Sequence, residues 1–200
     1  MKKIAIFASG AGSNALNLIQ ESLRFNNIKI THLIVDTDSS PLPEMVREKY
    51  PSIQVERILP LDNLKGSQRK LEHETRITQC LKSSEVEWIL LAGYMRILGT
   101  TLLTEFQNHI INIHPSLLPL YPGVDSYKRA FDDGVTESGV TIHLVDAGVD
   151  TGPVILQEKF RRLPADSLAD FIQRGKDLEW KLYPKVLEQI NNSAIKLPGV

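Results

Sequence analysis

Short apolar runs alternate with stretches of helical periodicity from one end of the chain to the other. The apolar runs, Ile4–Ala8, Ile30–Val35, a weaker Ile53–Ile58, Trp88–Ala92, Ile110–Ile113, Val140–Val145 and Val154–Phe160, read as strands. Between them, apolar residues recur every three or four positions over Asn14–Arg24, Pro43–Lys49, Ser67–Lys82, Thr101–Gln107, Ser126–Asp133 and Ser167–Ile190, which predicts helices. Alternation of this kind implies crossover connections. The expected fold is therefore α/β: a single-domain, doubly wound, mostly parallel seven-stranded sheet with helices on both faces. The last two strands, joined by the short Gly148–Pro153 turn, could instead pair antiparallel. The domain is expected to span residues 1–190, with residues 191–200 as a polar, proline-ended tail that frays.

Composition narrows the functional classes. A length of 200 residues suits one domain with a large core, and 42% hydrophobic with 24% charged residues is ordinary for a globular protein. A net charge of −1 gives no electrostatic reason to expect nucleic acid or an anionic membrane as partner. An anionic ligand would have to be held by a local arrangement. The opening "MKKIAIFASGAG" places two lysines before an apolar stretch, but Ile4–Ala8 is shorter than the roughly 7–15 residues of a signal core. It reads as a first strand. No run of about 18 apolar residues suggests a membrane helix, and the single Cys80 fits a reducing cytoplasm. His32, His73, His109, His114, His143 and Cys80 form neither a C-x-x-C nor an H-E-x-x-H grouping, so no metal is expected.

Two stretches carry candidate chemistry. The first is "SGAGSNA", Ser9–Ala15, between a strand and a helix. Its glycines allow close backbone approach, and free N–H groups at a helix N-terminus attract anions, so Gly12, Ser13 and Asn14 could cradle a phosphate. A plain strand-to-helix turn, with Ser13 or Asn14 as cap, explains the same residues. Gly10, Gly12 and Ala15 also fit G-x-G-x-x-A, with Asp36 at the end of the next strand, as in a dinucleotide-binding fingerprint.

The second stretch is "INIHPSLLP", Ile111–Pro119. Residues two apart in a strand project to one side, so Asn112 and His114 would point together from a strand end, where open parallel sheets bind ligands. Pro115 and Pro119 would stiffen the loop behind them. An amide N–H and a protonated imidazole could stabilise the oxyanion formed when an amine attacks a carbonyl, which points to acyl transfer. Asp146 and Asp150, in the glycine-rich "VDAGVDTGPV", are both candidates to orient His114 and raise its pKa. Their spacing does not choose between them. His143, on an apolar strand, reads as a core residue.

Taken together, "SGAGSN", "LAGYMRIL", "NIHPSLLP" and "GVTIHLVDAGVDTGPVILQ" resemble, in matching order, the phosphoribosylglycinamide formyltransferase family of folate-dependent enzymes in purine synthesis. The resemblance is densest from Trp88 to Gln157. It implies a Rossmann-like formyltransferase fold and transfer of a formyl group from 10-formyltetrahydrofolate to the amine of N1-(5-phosphoribosyl)glycinamide, without a metal. It implies that Asn112, His114 and Asp150 are the catalytic set, selecting Asp150 over Asp146. Gly12, Ser13, Asn14, Lys176 and Glu179 match positions that hold the acceptor. Met95, Arg96, Ile97, Leu98, Asn112, Val145 and Asp146 match positions around the folate, and Lys70, or its neighbour Arg69, falls near the folate tail. The partners implied are these small molecules, with no nucleic acid or membrane, for a cytoplasmic monomer or homodimer.

The sequence departs from the family pattern after "YPG", where Asp125 and Tyr127 replace histidine-containing sequence, and at "DTDSSP" after the second strand. Both departures bear on the acceptor. The alternatives are a folate-dependent formyltransferase acting on another amine, such as an amino sugar nucleotide, a 10-formyltetrahydrofolate deformylase, and, more distantly, a dinucleotide-binding protein.

Overall fold

The computed structural model describes residues 1–196; residues 197–200 of the expected tail lie outside the described residues. The described residues form seven strands, β1 (Lys2–Ala8), β2 (Ile28–Val35), β3 (Gln54–Arg57), β4 (Trp88–Leu91), β5 (Ile110–His114), β6 (Glu137–Leu144) and β7 (Val154–Arg161). They join into one sheet in the order β3-β2-β1-β4-β5-β6-β7. The strands from β3 to β5 are parallel, and β6 and β7 are antiparallel additions. The doubly wound sheet and the antiparallel pairing of the late strands are thus both present.

Alternation along β1 shows why this sheet is covered on both sides. Ile4, Ile6 and Ala8 pack in one cluster with Leu18, Ile19, Leu178, Leu182 and Tyr183, while Ala5 and Phe7 pack in a second with Ile77, Leu81 and Leu102. A strand buried on both faces has no polar positions to spare, hence its continuous apolar sequence. The first face is covered by α1 (Ser13–Ser22), α2 (Leu42–Lys49), α6 (Leu168–Leu182) and α7 (Lys185–Asn191). The second is covered by α3 (Gly66–Ser83) and α4 (Thr100–Glu105). The seventh helix, α5 (Ser126–Asp132), packs on α6 through Tyr127, Ala130 and Phe171. The edge strand β7 is protected from further pairing by the charges of Glu158, Lys159 and Arg161.

The single helix expected over Ser167–Ile190 is two. Pro184 lacks the N–H needed to continue α6, and the chain restarts as α7 after it. The N-terminus of α6 carries a capping box, with Ser167 and Asp170 satisfying each other's backbone N–H groups. Beyond α7 the first tail residues are packed rather than frayed. Lys2 Nζ donates to Ser193 Oγ at 2.7 Å, and Ile195 lies against the first core cluster. Among the described residues, no helix is long and apolar enough to cross a membrane.

The strand order reverses between β1 and β4. At such a switch point the loops leaving neighbouring strands part and leave a crevice at their carboxyl ends. The Ser9–Gly12 loop, the Gly93–Gly99 loop and the end of β5 all open there.

Candidate active site

Asn112 and His114 sit two apart at the carboxyl end of β5 and face the same side. Asp150 comes from the β6–β7 loop and lies between them: its Oδ2 is 3.2 Å from His114 Nδ1, and its Oδ1 is 3.4 Å from Asn112 Nδ2. Asp150 is held in turn by the Gly123 N–H at 2.8 Å. Asp146 plays a different part. Its Oδ1 accepts from the Gly148 N–H at 3.0 Å and the Thr151 hydroxyl at 2.7 Å, closing its own loop. Geometry therefore picks Asp150 as the partner of His114.

A fourth side chain, missed in the sequence, belongs to this cluster. His143 pairs with Asn112 across the antiparallel β5–β6 register. Its Nδ1 faces the Leu144 carbonyl at 2.8 Å, and its Nε2 lies 3.3 Å from Asn112 Nδ2 and 3.6 Å from Asp150 Oδ1. It is buried, as expected, but it is also polar furniture of the site.

The loop after β5 is stiffened by more than its prolines. The Thr141 hydroxyl donates to the Ser116 carbonyl at 2.7 Å and accepts from the Leu118 N–H at 3.1 Å, and Gln157 donates to the Leu118 carbonyl at 3.0 Å. The Leu118–Pro119 bond is cis. Tyr121, Asp125 and Asp150 all adopt left-handed backbone conformations (φ 53°, 56° and 55°). Such conformations are costly for residues with a Cβ and concentrate where a fold shapes a site.

Electrostatics correct one expectation. Burial pulls the His114 pKa below the usual 6.5, and the Tyr121 carbonyl and Asp150, which pull upward, do not overcome it. The raised value anticipated from a neighbouring carboxylate is not found, because the ring is almost fully buried and its charged form loses hydration. Burial pushes Asp150 upward, but the His143 ring, the Gly123 N–H and the positive potential of both imidazoles outweigh it, leaving its pKa below the ordinary carboxylate value. The resting pair at neutral pH is a neutral imidazole beside an ionised carboxylate.

These groups line a cavity of about 400 Å³ whose walls include Met95, Arg96, Ile97, Leu98, Val145 and Asp146. The Met95–Leu98 loop is pinned beneath: the Met95 N–H donates to Ser9 Oγ at 2.9 Å, Arg96 pairs with Asp36, and the Gly99 N–H donates to Glu74 at 2.5 Å. Met95 and Ile97 are left exposed and apolar. Asp36 is therefore the buried counter-ion of Arg96 rather than a free ribose acceptor, which removes the acidic member of the dinucleotide fingerprint. Lys70 does not reach the cavity; its stem packs beside Glu74 over Gly99. Arg69 pairs with Asp62 at 2.7 Å, away from the site.

The residues matched to the acceptor form a second group. Gly12 has φ +75° and precedes α1, and a Cβ there would run into Leu42. The glycine is thus a steric requirement. Asn14 Nδ2 donates to Glu179 Oε2 at 2.6 Å, joining the glycine loop to α6. Glu179 Oε1 accepts from the Tyr127 hydroxyl at 2.7 Å. Ser13 is exposed at the start of α1, and Lys176 is exposed one turn before Glu179. The two groups meet through α5: Tyr127 touches Glu179, and Ser126, its neighbour, lies 3.2 Å from His114. Among the described residues no three His, Cys, Asp or Glu side chains group as metal ligands.

Comparison with known proteins bears on the family of the whole chain. The profile of the formyl transferase family matches residues 2–187. A phosphoribosylglycinamide formyltransferase of Bacillus subtilis is 40% identical over 192 residues, covering 95% of this chain and 95% of the relative. That of Haemophilus influenzae is 35% identical over 197 residues, covering 98% of this chain and 91% of the relative. Among solved structures, a phosphoribosylglycinamide formyltransferase from Bacillus halodurans superposes with a TM-score of 0.87 at 36% identity, covering 96% of this chain and 97% of that one.

Proposed function

The chain belongs to the formyl transferase family, and we propose that it transfers the formyl group of 10-formyltetrahydrofolate to the amine of N1-(5-phosphoribosyl)glycinamide in purine synthesis. The observation that carries this reading is the convergence of Asn112, His114 and Asp150 at the floor of one cavity. In the proposed complex the folate head lies against Met95–Leu98, Val145 and Asp146. The acceptor phosphate lies at Gly12–Asn14, with Glu179 and Lys176 beside it. Holding both reactants in this way converts a bimolecular reaction into a positioned one, a gain of up to several kcal/mol.

The amine attacks the formyl carbon; a C–N bond forms and the carbonyl oxygen takes up negative charge. Asn112 meets that charge with an amide hydrogen. Its present bonds, at 3.3 and 3.4 Å, are long and readily exchanged for a shorter one to an oxyanion. Losing such a donor typically costs about 10²–10³ in rate. The amine must also shed a proton. The neutral His114 takes it, and the ionised Asp150 steadies the imidazolium that results. The imidazolium adds its field to the oxyanion and then returns the proton to N10 of the folate as the C–N10 bond breaks. One proton moves from amine to leaving nitrogen, and none is lost to solvent. A cytoplasmic setting, as a monomer or homodimer, goes with this reading.

The test is a formyl-transfer assay with 10-formyltetrahydrofolate and three conditions: glycinamide ribonucleotide, an amino sugar nucleotide, and no acceptor. Turnover confined to glycinamide ribonucleotide supports the assignment. Turnover with the amino sugar nucleotide would transfer the same chemistry to another amine, and formate release without acceptor would make the protein a deformylase.

A further inference from the structure

Gly175 is a buried residue in the interior of α6, with helix continuing on either side. Apart from proline, no residue disfavours a helix interior more. The reason for it here is steric. A Cβ at Gly175 would lie 2.3 Å from both Cζ and Oη of Tyr127, so the bare backbone is what admits that ring. Phe171, Gly175 and Glu179 follow one another at intervals of four and share one helix face. The Tyr127 ring meets Phe171 edge-on with centroids 6.2 Å apart, passes Gly175, and delivers its hydroxyl to Glu179 Oε1 at 2.7 Å. Burial, together with the charge of Glu179, pushes the Tyr127 pKa upward, so the phenol keeps its proton and donates. The other carboxylate oxygen, Oε2, accepts from Asn14 Nδ2 at 2.6 Å. Each carboxylate oxygen has a second lone pair. Glu179 is therefore held from both sides with an acceptor position left on each oxygen. Such a group repels a phosphate but suits two neighbouring hydroxyls.

We propose that Tyr127, seated on Gly175, is a positioning residue that aims the Glu179 carboxylate at the vicinal hydroxyls of the acceptor's ribose, so that these two residues set the preference for a ribosyl over a deoxyribosyl acceptor. The inference rests on the acceptor site proposed above. It gives a use to Tyr127, one of the positions where the sequence departs from the family pattern, and it explains a helix-interior glycine by the ring that crosses it.

The experiment is calorimetric titration, without folate, of wild type, Tyr127→Phe and Gly175→Ala with glycinamide ribonucleotide and with its 2′-deoxy analogue. Wild type is expected to bind the ribonucleotide about tenfold more tightly than the analogue, the weight of one hydrogen bond to a charged group at a partly exposed site. Tyr127→Phe keeps the ring and its packing but releases Glu179 Oε1. Its Kd for the ribonucleotide should rise about 3–10-fold, while that for the analogue stays within about twofold. Gly175→Ala displaces the ring and should show the same selective loss; if it does not fold, Tyr127→Phe alone decides. A merely structural role would weaken both ligands alike. Equal binding of the two ligands by wild type, or equal weakening of both in Tyr127→Phe, would overturn the inference and leave the acceptor site standing. Binding of neither ligand to wild type would remove the acceptor site and this inference with it.

Discussion

Asp150→Asn is the substitution that most directly probes the charge at the centre of the site. It keeps the size of the side chain and an oxygen for the Gly123 N–H, and asparagine tolerates the left-handed backbone at φ 55° as well as aspartate does. What is lost is the negative charge 3.2 Å from His114 Nδ1. At an effective dielectric of about 20 that charge is worth about 5 kcal/mol to an imidazolium at this distance, and partial screening by cavity water leaves about 3–4 kcal/mol. At about 1.4 kcal/mol per tenfold, kcat for formyl transfer should fall about 10²–10³-fold, while the melting temperature changes little. The pH profile gives a second reading. The reaction needs His114 neutral at the outset, so activity falls on the acid side through its pKa, which lies below 6.5. Asp150 raises that pKa, so removing its charge should shift the acid limb to lower pH. A loss smaller than tenfold, or an acid limb that moves upward, would refute the pairing of Asp150 with a proton-carrying His114.

Three further outcomes follow from the geometry. Tyr127→Phe removes the donor 2.7 Å from Glu179 Oε1; since bonds to charged groups are worth about 1.5–3 kcal/mol and this carboxylate is partly exposed, KM for the acceptor should rise about 3–10-fold in steady-state kinetics. The folate KM and kcat should hold within twofold or so, and a change in the folate KM instead would detach Tyr127 from the acceptor. Gly12→Ala must strain a φ of +75° and displace Leu42, so chemical denaturation should show a loss of about 2 kcal/mol or more; an unchanged midpoint would mean that the loop yields freely. Burial lowers the pKa of His32, His73 and His114 below 6.5 in the folded state, so the unfolded chain binds protons first as pH falls. Stability is then full above about 6.5 and declines below it, and a melting temperature flat between about pH 7 and 5 would contradict this.

The strands and the Asn112–His114 pair were legible because both rest on local periodicity. A period of two put the amide and the imidazole on one face, and the apolar runs Ile4–Ala8 of β1 and Trp88–Leu91 of β4 are buried on both sides, so no polar position obscured them. Choosing Asp150 over Asp146 was beyond spacing alone, because the choice depends on Asp146 being used up inside its own loop. The role of His143 was hidden for another reason: its contact with Asn112 depends on the β5–β6 register, a non-local pairing. The Tyr121 carbonyl had no signal at all, since a backbone oxygen has no residue type. The break at Pro184 was in plain sight and was overridden by apolar periodicity continuing on either side. The lowered His114 pKa is not legible in the sequence, which shows a possible carboxylate neighbour but not the depth of burial that opposes it.

The most direct test of the account follows the formyl carbon itself. Donor carrying a ¹³C-labelled formyl group would be mixed with glycinamide ribonucleotide and a stoichiometric amount of enzyme, wild type or His114→Ala, and the label traced by carbon NMR. The account requires the label to appear on the acceptor nitrogen with wild type, with no such product on the same timescale with His114→Ala. Label released as formate, or transferred equally well without the imidazole, would contradict the claim that the end of β5 carries out formyl transfer.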